Sequence, residues 1–185
     1  MTCLPMAGDQ ATPPDRQTSR AEAGSCVWEV ADTYAAQRAD LESERNPATV
    51  DDPTPREVVA LEFFDALIEA ASEPGGLGPG DYDAPMGREL LERINKPWIG
   101  EFKTRGVPRR DEGGRREYRL YFSEPDVERM LLGSFLGHKT RDEMGERVGD
   151  TSRPRSSAKQ TKHIGYAMDA TQRWCKQKGV SFRTL

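Results

Sequence analysis

Four side chains that carry, or can take up, positive charge stand where strands should run: Lys103, Arg119, His138 and Lys139. Three of them fall in one stretch, "REYRLYFSEPDVERMLLGSFLGHKT" at residues 116–140. Arg119 interrupts an aromatic and aliphatic run, and His138 and Lys139 close the next one. Arginine offers a two-pronged donor to a phosphate, and lysine offers a compact charge. Tyr118 and Tyr121 flank Arg119, and rings of this kind stack on unpaired bases. RNA is cleaved when its own 2′-OH attacks the adjacent phosphate. That reaction needs negative charge stabilised and two protons moved, and it requires no metal or cofactor. A few cations with one histidine or tyrosine suffice. Arg105 and Arg141, just outside the strands, are looser candidates for RNA contact.

The same residues have a plainer reading. An arginine within an apolar strand costs energy unless it is paired or its face is solvated. Arg119 could pair with Glu101 or Glu117, or lay its stem over apolar surface on an open face. His138 and Lys139 could simply end a strand. Other machinery is missing from the sequence. It has two histidines, His138 and His163, and no G-x-S-x-G, H-E-x-x-H, C-x-x-C or metal-spaced carboxylate set. A metalloenzyme or a triad hydrolase is therefore not expected.

Charge is distributed unevenly along the chain. Residues 1–95 hold 7 basic and 19 acidic side chains, a net −12, whereas residues 96–185 hold 20 and 12, a net +8. The basic half suits a polyanionic partner, or its surface balances acidic surface within one fold. Three widely spaced cysteines, Cys3, Cys26 and Cys175, fit a reduced, cytoplasmic setting better than a disulfide framework. No stretch approaches the roughly 20 apolar residues of a membrane span, and the start has no secretory pattern.

These side chains need elements to position them. "CVWEV" (26–30) reads as a strand and "TYAAQRADLESER" (33–45) as a short helix. "TPREVVALEFFDALIEAAS" (54–72) reads as a helix that starts with a capping box, Thr54-Pro55 with Glu57. Its apolar face is expected to hold Val59, Phe63 and Leu67, with Phe64, Ile68 and Ala71 beside them. "PWIGEFKTRG" (97–106) reads as a strand with Trp98 and Phe102 on one side. Two more strands follow around "SEPD", where Pro125 marks the loop. A last helix over 158–179 puts Ile164, Ala167, Met168, Thr171, Trp174 and Cys175 on one stripe, with Gly179 as its stop. Residues 1–25 read as a disordered tail, and 46–53, 73–85 and 141–157 as mobile loops. One α+β domain over residues 26–180 follows, with helices on a small, mainly antiparallel sheet.

The order of motifs resembles the RelE/HigB superfamily of toxins from bacterial toxin–antitoxin modules, nearest to its phage-associated HigB-like branch. The residues that carry the resemblance are Glu101-Phe102-Lys103, Tyr118-Arg119-Leu120-Tyr121-Phe122, Phe135-Leu136-Gly137-His138-Lys139-Thr140 and Ala170-Thr171-Gln172-Arg173. It covers about residues 26–178. The resemblance implies a RelE-like fold with two N-terminal helices packed on the sheet and a C-terminal helix. It also implies a ribosome-dependent endoribonuclease that cuts mRNA and is neutralised by a helix-turn-helix antitoxin. By position, Arg119 would stabilise the charged phosphate, His138 and Lys139 would donate a proton or bind phosphate, and Lys103 would add a contact. His138 stands where the family usually has the first of two lysines. The alternative within the same resemblance is a RelE/ParE-fold protein without nuclease activity that binds a protein partner.

Overall fold

The computed structural model describes residues 18–43, 56–90, 92–104, 116–140 and 156–185. Seven main elements follow in chain order: β1 (Val27–Val30), α1 (Asp32–Ser43), α2 (Arg56–Ser72), β2 (Ile99–Lys103), β3 (Arg116–Ser123), β4 (Met130–Thr140) and α3 (Ser156–Lys178). Strand and helix order agree with the sequence expectation, and the class is α+β. The sheet order is β1-β4-β3-β2. β3 runs antiparallel to both β2 and β4, while β1 runs parallel to β4. The sheet is thus mixed, because parallel neighbours need a long crossover, and here α1, α2, β2 and β3 supply it.

Both faces of the sheet are covered, so its strands cannot alternate apolar with solvated residues. On one face Trp98, Phe102, Leu120 and Phe122 pack against Tyr34 and Leu41 of α1 and Ala60, Leu61 and Phe64 of α2. Phe102 and Phe122 lie with ring centroids 4.6 Å apart, and Trp28 stacks on Phe102 at 6.2 Å. Each such side chain taken fully from water contributes about 1.5–3 kcal/mol before entropy is counted. On the other face Ile99, Tyr121 and Phe135 meet Ile164, Ala167 and Met168 of α3, the stripe expected from the sequence. The α3 helix ends at Gly179, whose φ of 67° is a conformation open to glycine.

Three expectations need correction. The first N-terminal helix does not simply lie on the sheet. α1 continues from β1 beside β4, and the Gln37 side-chain oxygen accepts the Leu136 N–H at 2.8 Å, filling an edge that β1 is too short to cover. Second, the buried side of α2 is Ala60, Leu61, Phe64 and Ala71, whereas Val59 and Phe63 are 44% and 42% exposed. The apolar arc of α2 is wider than the sheet can cover. Third, the ordered unit extends beyond 26–180. Residues 18–25 include a 3-10 turn, Arg20–Ala23, with Ala21 buried, and the chain end pairs back through Pro97 with Thr184 and Pro125 with Phe182.

One buried carboxylate explains that third point. Glu124 is fully buried, and one of its oxygens accepts from Ser19 Oγ (2.8 Å) and Arg20 N (2.7 Å). The other oxygen accepts from Arg183 Nη1 at 2.7 Å, while the Arg183 guanidinium lies 4.7 Å over the Trp98 ring. Both ends of the described chain are therefore fastened to the β3–β4 turn. Segment 73–85 is irregular, as expected, but it is packed through Leu77 and Tyr82 and bridges β2 at Asp83–Glu101. The expected loop at 46–53, residues 141–155 of the loop expected at 141–157, and residues 54 and 55 of the capping box lie outside the described residues, while residues 156 and 157 belong to α3 instead. No described helix is long and apolar enough to cross a membrane.

Candidate nucleic-acid interface

Side chains alternate faces along a strand, so β3 divides "EYRLYFS" between the two layers. Tyr118, Leu120 and Phe122 turn toward α1 and α2, while Glu117, Arg119 and Tyr121 turn toward α3. Residues directly opposite in an antiparallel pair share a face. The register pairs Glu117 with Lys139, Tyr118 with His138, and Arg119 with both Gly137 and Lys103. Lys103, Arg119 and Lys139 therefore share the α3 face, one from each of three adjacent strands. His138 is on the opposite face, its ring 5.7 Å from that of Tyr118.

The three cations are held by named partners. Arg119 donates through Nη1 to Glu101 Oε1 and through Nη2 to Glu117 Oε1. Gln160, from the first turns of α3, bridges the rest: its Nε2 donates to Glu101 Oε2 at 2.7 Å, and its Oε1 accepts from Lys139 Nζ at 2.7 Å. Lys103 pairs with Asp83. Glu101 is fully buried, Lys139 is 2% exposed and Arg119 is 8% exposed. Both pairing partners named for Arg119 in the sequence are thus present together. An unpaired buried charge would be severely unfavourable, and this network supplies each ion with a counter-charge or a hydrogen-bond partner.

The electrostatics follow from burial. Loss of water raises the Glu101 carboxyl above its ordinary range, and Arg119, then Gln160, Lys103 and Lys139, pull it back only in part. Burial likewise raises the Tyr121 phenol, and the charge of nearby Glu101 raises it further. One donor here, Arg119 Nε, has no hydrogen-bond partner among the described residues. Chemically, the arrangement offers a fixed guanidinium, an ammonium, a carboxyl with raised proton affinity, and one unspent donor on one face.

Several sequence candidates fall elsewhere. Tyr118 and Tyr121 are 2% and 0% exposed, so neither ring presents a stacking surface to a base. Both are core residues, because β3 is central and covered on both sides. Arg105 and Arg141 lie outside the described residues. Two residues at the face were not anticipated, Gln160 and His163. His163 stands over Gly137, where an added Cβ would come within 2.8 Å of its Cε1, and it packs 5.2 Å from Phe135. Their signal was available: Gln160, His163, Ile164 and Ala167 extend the α3 stripe one turn toward its start. Among the described residues no group of His, Cys, Asp or Glu is placed to hold a metal ion.

No protein-family model matches the chain, and neither a curated protein nor a solved structure matches it.

Proposed function

We propose that the α3 face of the sheet binds RNA phosphate and that the chain acts as the toxin of a toxin–antitoxin module. In this reading it is a RelE/HigB-like, ribosome-dependent mRNA endoribonuclease that works in the cytoplasm. The observation that carries it is the shared face of Arg119 and Lys139, linked through Glu101 and Gln160. Arg119 stabilises the charge that develops on the phosphate, and Lys139 adds a second cation beside it. The α+β order of elements and the four ordered motifs support the RelE-like part of the reading. A helix-turn-helix antitoxin, the ribosome and mRNA are the partners it implies. The test is expression in a bacterial host with mapping of mRNA 5′ ends, comparing wild type with variants at Arg119 and Lys139.

A second reading has its own observation. Arg119 is already paired with two carboxylates and is nearly buried, which suits a structural ion network in a RelE/ParE-fold protein that binds a protein partner without cleaving RNA. Growth arrest without new mRNA ends would favour it.

A further inference from the structure

The two carboxylates on Arg119 are not equivalent. Glu101 is fully buried and fixed on both oxygens, by Arg119 Nη1 on one and Gln160 Nε2 on the other. The Glu117 side chain is 19% exposed, at the margin of the face, and Arg119 Nη2 is its one hydrogen-bond partner among the described residues. Across the strand pair on that face stands Lys139. Nη2 and Nε together form the side-on edge of a guanidinium, the fork that grips two oxygens of one anion. Glu117 occupies only the Nη2 half of that edge, and Nε is buried without a partner among the described residues. An anion with two oxygens spaced for the fork engages both donors, whereas Glu117 as seated engages one.

We propose that Glu117 is a built-in competitor for the anion site on Arg119, which an RNA phosphate occupies side-on once Glu117 has swung out. This rests on the phosphate-binding reading above. The tether gives Glu117 a high effective concentration, so it excludes weak free anions while a phosphate in a bound strand displaces it. Arg119 stays paired with Glu101 throughout, and the buried cation is never left without a counter-charge. The device makes the face selective for anions delivered by a larger bound partner.

The test measures binding of a fluorescent, cleavage-proof 2′-O-methyl RNA oligonucleotide to the full chain at fixed ionic strength. The variants are Glu117→Gln, which keeps shape but removes charge, and Glu92→Gln, which changes net charge equally at an exposed site outside the Arg119 network. Glu117→Gln is expected to bind about tenfold more tightly than wild type, and Glu92→Gln less than about twofold, the size of a screened surface charge. In the double variant Glu117→Gln/Arg119→Gln the gain disappears. Should that double variant not fold, the comparison of Glu117 with Glu92 decides alone. Equal affinities for the two single variants overturn the proposal, as does a gain that survives loss of Arg119. Tighter binding without mRNA cleavage in cells keeps the Glu117 competitor and rejects the nuclease. Cleavage by wild type without tighter binding by Glu117→Gln does the reverse, and no RNA binding by any form overturns both.

Discussion

Arg119 and Lys139 share the α3 face of adjacent strands, tied together through Glu101 and Gln160, while His138 faces the other layer beside Tyr118. One step along β4 thus separates Lys139, in the network, from His138, on the other layer. Consequences for stability, pH response and activity differ accordingly.

Removing Arg119 leaves Glu101 buried beside Gln160 without its main counter-charge. Arg119→Ala is expected to destabilise the fold by about 3–5 kcal/mol, the usual cost of breaking one side of a buried pair. Arg119→Met combined with Glu101→Leu, which removes both charges, should cost markedly less. Urea unfolding of the three proteins measures this, and equal losses would contradict the network described.

Glu101 gives stability a specific pH dependence. Burial raises its folded pKa above the ordinary carboxyl range, so the folded state holds this proton more tightly than the unfolded chain does. The stabilising contribution is complete below the unfolded value and is lost as pH rises through the folded one. Glu101→Gln cannot titrate. The difference in Tm between wild type and this variant should therefore shift against wild type as pH rises through that window. A difference that is flat with pH, or that moves in wild type's favour, would show that pairing outweighs burial.

His138 is separated from the cationic face by the sheet itself. His138→Gln should leave RNA cleavage and growth arrest within about twofold of wild type, since positioned acid–base groups are worth 10²–10⁴-fold by comparison. A loss of a hundredfold would return His138 to the chemistry.

Neighbouring phenylalanines on α2 should behave differently. Phe64 is 1% exposed within the core, and Phe64→Ala is expected to cost about 3–5 kcal/mol. Phe63 is 42% exposed and meets Phe64 edge-on with ring centroids 5.9 Å apart, so Phe63→Ala should cost clearly less, about 1 kcal/mol. Unfolding midpoints of the two variants check the orientation of α2.

Element order and the α3 stripe were legible in the sequence because periodicity reports which side of an element is buried. Register was not legible, since it depends on which residues of two strands face each other. Hence Tyr118, Tyr121 and His138 could be grouped with Arg119 by proximity along the chain when alternation separates Tyr118 and His138 from it. Gln160 was missed because a polar residue at the end of an apolar stripe looks like solvent-facing surface until its partners are known. Glu124 was equally silent, for its role comes from two chain ends meeting at one buried carboxylate. On α2, apolar residues covered more of the helix than the sheet could, so pattern alone could not choose between Phe63 and Phe64.

The central claim is that the Arg119–Lys139 face cleaves mRNA, and mapping mRNA 5′ ends after induced expression tests it most directly. Arg119→Lys keeps the buried charge while removing the fork, and Lys139→Ala removes the second cation, so both are compared with wild type as soluble, folded proteins. The account predicts growth arrest with new 5′ ends within translated messages for wild type, and a reduction of about a hundredfold in those ends for each variant, the usual cost of losing one charge-stabilising donor. New ends that persist undiminished in both folded variants, or arrest by wild type with no new ends, would contradict it.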